Sequence, residues 1–186
     1  MTCVAGAKTK TKTEAWMAYD AASSTESEVI LTSTAKGVRH AGGGLVGSAG
    51  SWSVINMIQS LKGSHCTPED MALSLMALKE SGIKIKGVEL IMVTPGKPII
   101  SINSDGAIIE LRSDFYAIGS GGFYALGYLE GCKTVGPEEL KKAVKIAAKY
   151  DPGVAEPVTL ITASAATPRP KKEKDLTPVS KSDKIV

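Results

Sequence analysis

The order in which strands and helices are predicted is the feature of this sequence that most constrains its fold. Apolar residues alternate with polar ones in the first forty residues, which predicts strands, and then recur at helical spacing over two consecutive segments. Short β-like runs return after them, followed by two more helical segments and a last strand. Because the helices come in pairs, alternating βαβ units are not favoured. The pattern predicts two sheets stacked on each other between two helical layers, in the α+β class.

Individual elements follow from these periods together with turn and cap signals. The ten residues 41–50 (AGGGLVGSAG) are glycine-rich and are predicted as a turn. The helices are expected over 51–61, from Thr67 to a stop at Gly82, from an opening at 119–122 to 129, and over 137–150. The strands are expected over 2–7, 14–20, 29–36, 88–93, 98–102, 107–111, 115–118 and 158–162.

The charge of the chain is concentrated at its C-terminal end. Residues 164–186 include six basic and three acidic residues, so they account for the whole formal net charge of +3. This segment is rich in Pro, Lys, Ser and Thr and has no apolar periodicity. We expect it to be a flexible basic tail that follows a neutral domain over 1–163. A solvated tail is favoured over one that binds nucleic acid or a membrane, so neither is an expected partner.

Composition excludes several classes of protein. At 43% hydrophobic the chain can bury a core, yet no apolar run reaches the ~18 residues of a membrane span, and no secretory leader is recognised. Three cysteines are too few, and odd in number, for a disulfide scaffold, which favours the cytoplasm. The cysteines and two histidines lack C-x-x-C or H-E-x-x-H spacing, so no metal site is predicted. Residues 42–47 match G-x-G-x-x-G, but no second parallel strand follows, so no cofactor is predicted.

The second residue is a threonine that removal of the first methionine would expose. Thr2 is small enough for Met1 to be removed, which would leave a hydroxyl and a free α-amine on one residue. An α-amine has a pKa near ~7.7–8.0, so at neutral pH it can take a proton from the hydroxyl. Thr2 would then supply both the nucleophile and its base.

A carboxylate and a lysine end two of the predicted strands. Asp20 closes the strand over 14–20 and Lys36 closes the strand over 29–36. Where two such side chains meet, the ammonium group can lower the pKa of a nearby hydroxyl or amine. The alternative, which these two residues alone would favour, is an ordinary surface salt bridge.

Five short segments follow one another in a defined order through the chain. They are Thr2-Cys3-Val4-Ala5-Gly6, Ala18-Tyr19-Asp20, Lys36-Gly37-Val38-Arg39, Gly47-Ser48-Ala49-Gly50 and Ala117-Ile118-Gly119-Ser120-Gly121-Gly122. In order and spacing they resemble the proteasome β-type peptidases, which are N-terminal-nucleophile hydrolases, and most of all the bacterial HslV-like protease subunits. The resemblance covers residues 2–162, leaves the tail outside, and implies an αββα four-layer sandwich.

The resemblance also implies a catalytic role for six residues. Val154 departs from the family, in which many subunits carry another serine after the aspartate. The six are Thr2 as the nucleophile, Asp20 and Lys36 as its supporting acid and base, Gly50 as an oxyanion-binding backbone N–H, Ser120 beside the amine of the nucleophile, and Asp151 as the partner of that serine.

Four more residues are implied in substrate binding. Ser23 and Ser24 fall where family members pair their backbone with an extended peptide. Ser48 is expected to line the base of the pocket for the residue before the scissile bond, and Trp52 to narrow or cap it. Small residues are usual at the Trp52 position, so the substrate preferences of the family do not transfer.

The function that the resemblance implies is that of a threonine-type endopeptidase subunit. Such subunits form a homo-oligomeric ring that encloses the sites, and an ATP-dependent unfoldase feeds them unfolded polypeptides. Two alternatives stay open. The first alternative is a proteasome-like subunit that assembles but does not cut peptides. The second is a small-molecule amidohydrolase of the same fold.

Overall fold

A computed structural model of the chain describes residues 2–9, 11, 13–24, 29–31 and 35–165. The predicted tail lies outside these residues from position 166 onward. Within the described residues the strands β1 to β11 are Val4–Lys8, Glu14–Asp20, Ala22–Ser24, Val29–Leu31, Gly37–Arg39, Leu45–Ala49, Glu89–Val93, Ile99–Asn103, Ile108–Leu111, Phe115–Ile118 and Val158–Ser164. The helices α1 to α4 are Trp52–Ser60, Pro68–Glu80, Gly122–Glu130 and Pro137–Tyr150.

Two antiparallel sheets stack on each other. The first has the strand order β10-β1-β2-β11, and the second has the order β5-β6-β7-β8-β9. The helices α3 and α4 cover the outer face of the first sheet, and α1 and α2 cover that of the second. The predicted arrangement of two sheets between two helical layers is therefore confirmed. No helix among the described residues is long and apolar enough to cross a membrane.

Strand β2 shows why the sheets read as almost continuous apolar runs. Its side chains alternate between two buried layers, with Trp16 and Ala18 packed toward α3 and α4. Met17 and Tyr19 point the other way, into the layer between the two sheets. A strand that is covered on both faces has little use for polar residues, and β2 turns polar only at its ends.

Helix boundaries follow the local signals in the sequence closely. The Ser51 hydroxyl accepts a hydrogen bond from the Ser53 N–H at the start of α1 (3.3 Å). At the start of α2 the side chains of Thr67 and Asp70 each accept a hydrogen bond from the other's backbone N–H, which is a full capping box. The predicted helices over 51–61 and from Thr67 are confirmed.

The turn predicted over 41–50 is wrong in its second half. Leu45–Ala49 forms β6, a buried strand in the interior of the second sheet. Its central residue is a glycine for a packing reason, because a Cβ on Gly47 would lie 2.7 Å from Met17 Sδ and 2.8 Å from Val4 Cγ1 in the facing sheet. The glycine content that suggested a turn instead allows the two sheets to approach each other closely.

The single strand predicted over 29–36 is also wrong. Among the described residues of this range, Val29–Leu31 is a strand that pairs with β3 in a separate two-stranded sheet, whereas Ala35 and Lys36 are not in a strand. Residues 32–34 lie outside the described part of the chain. Lys36 therefore does not end a strand but directly precedes β5, a short strand whose three residues gave no periodic signal.

Leu90 offers a test of the packing beneath α1 and α2. It is fully buried in β7, within the apolar cluster of the second sheet and its helices. We expect Leu90→Ala to lower the free energy of unfolding by about 2–5 kcal/mol, because it removes apolar contacts and leaves a cavity. Urea unfolding measures this. Leu73→Ala is the matched control, since Leu73 on α2 is 65% exposed and its loss should cost less than about 0.5 kcal/mol.

Candidate active site

Thr2 lies two residues before the start of β1 and is held at the end of the first sheet. It is only 3% exposed although it lies next to the start of the chain. Its hydroxyl donates a hydrogen bond to Asp20 Oδ1 (2.7 Å) and accepts one from the Lys36 ammonium. The hydroxyl is therefore held between a carboxylate and an ammonium group in a site nearly closed to solvent.

Asp20 organises this site because β1 and β2 pair with each other. The register that places Val4 opposite Tyr19 brings the end of β2 beside Thr2. Oδ1 of Asp20 accepts hydrogen bonds from the Cys3 N–H (2.9 Å) and from Lys36 Nζ (2.8 Å), and Oδ2 accepts one from the Ala22 N–H (3.0 Å). Asp20 is fully buried, and these donors compensate the cost of burying its charge.

Lys36 reaches Thr2 from the second sheet. Its carbonyl accepts a hydrogen bond from the Ser48 N–H of β6 (2.9 Å), which anchors its backbone, and its side chain is 1% exposed. Burial lowers the pKa of Lys36 below its ordinary value, and the neighbouring Asp20 carboxylate opposes that shift. The alternative of a surface salt bridge is excluded for this pair, because both side chains are buried.

The segment 119–121 clamps the backbone of Thr2 from the other side. The Thr2 N–H donates to Ser120 Oγ (3.2 Å), and the Gly121 N–H donates to the Thr2 carbonyl (3.1 Å). Gly119 has a φ of +87°, and a Cβ on it would lie 2.9 Å from Thr2 Cγ2 and closer still to the Thr2 carbonyl oxygen. Only glycine fits at that position. The roles of Gly119 and Gly121 were not predicted from the sequence, although both lie in the quoted motif.

Gly50 directly follows β6, at the end of the strand that is anchored to Lys36. The residue is exposed, and no hydrogen bond joins its N–H to another described residue. A backbone N–H in this state is available to an incoming oxygen atom, as an oxyanion donor has to be.

Asp151 caps α4, but the structure does not give it the partner that the resemblance implies. Its Oδ1 accepts a hydrogen bond from the Gly153 N–H (2.9 Å), within its own turn. No hydrogen bond joins Asp151 to Ser120 in the described part of the chain. Asp151 is buried, and its charge contributes to raising the pKa of the Cys3 thiol, which burial raises most. Asp151 therefore lies at the C-terminal end of α4, and its role as the partner of Ser120 stays a prediction.

The four predicted substrate-binding residues lie in different settings. The backbone of Ser23 and Ser24 forms β3, which pairs with β4 along one edge, and no other described strand pairs with it. Ser48 is fully buried, and its hydroxyl has no hydrogen-bond partner among the described residues. Trp52 begins α1 and is 39% exposed, so it does not belong to the core.

Known proteins resemble this chain in structure, although the comparisons of sequence found no match. No protein-family model and no curated protein sequence matches the chain. Solved structures do match it. BPH of Thiobacillus denitrificans in complex with epoxomicin superposes with a TM-score of 0.70 at 19% identity, over 88% of this chain and 98% of that chain.

Two other solved structures give the same result. HslV of Trypanosoma brucei has a TM-score of 0.63 at 18% identity, over 88% of this chain and 100% of that one. An Anbu (Gly-1) mutant from Hyphomicrobium sp. strain MC1 has a TM-score of 0.67 at 14% identity, over 88% and 82%. The chain therefore has the N-terminal-nucleophile hydrolase sandwich of the HslV-like proteins, and the predicted fold class is confirmed.

Proposed function

We propose that this chain is a threonine endopeptidase subunit whose nucleophile is Thr2 after removal of Met1. The observation that carries the proposal is the environment of the Thr2 hydroxyl, held between the Lys36 ammonium and Asp20 Oδ1, with the Thr2 nitrogen on Ser120 Oγ. The hydroxyl lies within hydrogen-bond reach of the lysine, and the nitrogen that would act as its base belongs to the same residue, as covalent catalysis requires.

The first chemical step is attack of the Thr2 hydroxyl oxygen on a peptide carbonyl carbon. Its proton passes to the free α-amine of Thr2, most directly through one water, and the carbonyl becomes a tetrahedral oxyanion. Lys36 stays protonated and stabilises the negative charge that develops on the attacking oxygen. Asp20 keeps Lys36 in place. The Gly50 N–H donates to the oxyanion.

Collapse of the tetrahedral species breaks the carbon–nitrogen bond. The protonated α-amine returns its proton to the leaving amine, and the acyl group stays as an ester on Thr2. Water then attacks the ester with the same amine as its base, which releases the acid and regenerates the hydroxyl. Ser120 holds the α-amine in position in both half-reactions.

Assembly into a homo-oligomeric ring in the cytoplasm is part of the proposal. Phe123 on α3 is 85% exposed and lies on the same outer layer as the exposed, stacked rings of Tyr124 and Tyr150. An exposed aromatic group of this kind is typical of surfaces that are buried between subunits. Unfolded polypeptides would be the substrates, and an ATP-dependent unfoldase the partner that delivers them.

Intact-mass measurement of the recombinant protein together with a peptide-cleavage assay tests the proposed function. We expect loss of the Met1 mass, cleavage of unfolded polypeptides, and inhibition by epoxomicin, the compound bound in the Thiobacillus denitrificans structure. Retained Met1 with no cleavage would overturn the proposal in favour of a silent subunit, since an acylated nitrogen cannot act as the base.

Assembly state separates the remaining alternative. A small-molecule amidohydrolase needs no chamber, so light scattering that gives a monomeric mass at micromolar concentration would favour it. A ring of many subunits that cleaves polypeptides but not simple amides supports the peptidase.

A further inference from the structure

Glu89 connects the two sheets beside the site. It is the first residue of β7 in the second sheet, and its Oε2 accepts a hydrogen bond from the Gly119 N–H (3.1 Å), just past β10 of the first sheet. The side chain is half-buried, and no ion pair joins it to another described residue. The contact with Gly119 is thus the side-chain hydrogen bond of this carboxylate within the described part of the chain.

The partner of Glu89 is the residue that presses on Thr2. Gly119 takes a left-handed backbone conformation against the Thr2 carbonyl, and the next two residues bind the Thr2 nitrogen and carbonyl oxygen. An N–H that is bound by a carboxylate keeps its peptide plane in one orientation. The carboxylate therefore sets the orientation of the segment that holds the nucleophile.

The segment containing Glu89 also packs against Gly50. Glu89 is opposite Ala49 in the pairing of β6 with β7. A Cβ on Gly50 would lie 2.9 Å from Val88 Cγ2 and 3.0 Å from Val88 Cα, so the backbone at Gly50 lies directly against Val88. Val88 therefore packs against Gly50, while the adjacent Glu89 binds the segment that holds Thr2.

We propose that Glu89 is a positioning residue. It holds the segment 119–121, and through it Thr2, at a set distance from the Gly50 N–H in the second sheet. This inference rests on the proposed function of Thr2 and Gly50. Attack and oxyanion binding need the hydroxyl oxygen and the N–H donor on either side of one carbonyl group, and small displacements are costly in such a step. Glu89 touches neither atom and acts through Gly119 and the strand pairing.

Three variants at this position separate a hydrogen-bond role from simple packing. Glu89→Ala removes the acceptor, Glu89→Asp withdraws it by one methylene, and Glu89→Gln keeps an amide oxygen at the same reach. We expect the first two to lower kcat by about tenfold or more with KM changed less than about threefold, and Glu89→Gln to stay within about threefold of the wild type. Glu110→Ala is the matched control, because Glu110 is an exposed carboxylate of the same sheet, in the edge strand β9.

Hydrogen exchange at the Gly119 amide gives a readout that does not depend on activity. We expect exchange to quicken in Glu89→Ala and Glu89→Asp but not in Glu89→Gln, with unfolding midpoints recorded alongside. The positioning role is wrong if the wild type cleaves and all three variants cleave at the wild-type rate. It is also wrong if Glu89→Gln is as slow as Glu89→Ala. If Glu89→Ala does not fold, the Asp and Gln variants decide. If the wild type does not cleave at all, the proposed function has failed, and the exchange result still reports whether Glu89 orders Gly119.

Discussion

Replacing Thr2 with alanine is expected to lower the rate of peptide cleavage by about 10⁴-fold or more, since it removes the nucleophile itself. The fold should be retained, because the Asp20 carboxylate keeps the Cys3 and Ala22 N–H groups and the Lys36 ammonium as donors. Single-turnover cleavage of a fluorogenic peptide measures the rate, and circular dichroism with light scattering checks fold and assembly.

Two further variants assign the nucleophile. Thr2→Ser keeps the hydroxyl and the α-amine on one residue, so it should retain partial activity. Cys3→Ala should retain full activity, because the Cys3 thiol is fully buried and burial raises its pKa far above the ordinary value, which disfavours the reactive thiolate. A Thr2→Ala protein that cleaves at the wild-type rate would rule out the whole scheme.

Replacing Lys36 with methionine should lower kcat by about 10³-fold or more, because the ammonium donates a hydrogen bond to the attacking oxygen. The same change leaves the buried Asp20 carboxylate without its counter-ion, which typically costs about 3–5 kcal/mol of stability. The double variant Lys36→Met with Asp20→Asn removes both charges and is the matched control. It should recover most of the stability in urea unfolding and none of the activity, and recovery of activity would contradict a catalytic role for the charge.

The dependence of the rate on pH follows from two groups, the α-amine of Thr2 and the ammonium group of Lys36. Below the pKa of the α-amine the base is protonated, so the rate should rise with pH through that value. Burial lowers the pKa of Lys36, so the ammonium loses its proton at a lower pH than an exposed lysine does, and the rate should fall again as pH rises through that point. A kcat/KM profile that stays flat to the ordinary lysine pKa would show that the charge on Lys36 is not needed.

Local signals in the sequence determined the helices and most of the strands. The capping box of Thr67 and Asp70 needs only residues three apart, and the apolar run of β2 needs only its own seven residues. The order of these elements was enough to predict two sheets between helical layers. The resemblance pointed to Thr2 as the nucleophile. Three of the residues that it implies as partners, Asp20, Lys36 and Ser120, do lie in one site with Thr2.

Only the tertiary structure decided the features that depend on the other sheet. Gly47 reads as a turn residue in the sequence and is a strand residue because Met17 and Val4 press on it from the facing sheet. Asp151 is assigned by resemblance alone, and only the structure shows that its side chain accepts a hydrogen bond from its own turn. Glu89, the first residue of β7, has no local signal in the sequence, because its partner Gly119 is thirty residues away. Periodicity and capping report neighbours along the chain, whereas packing between sheets joins residues whose separation in sequence is arbitrary, and only the folded structure brings them into contact.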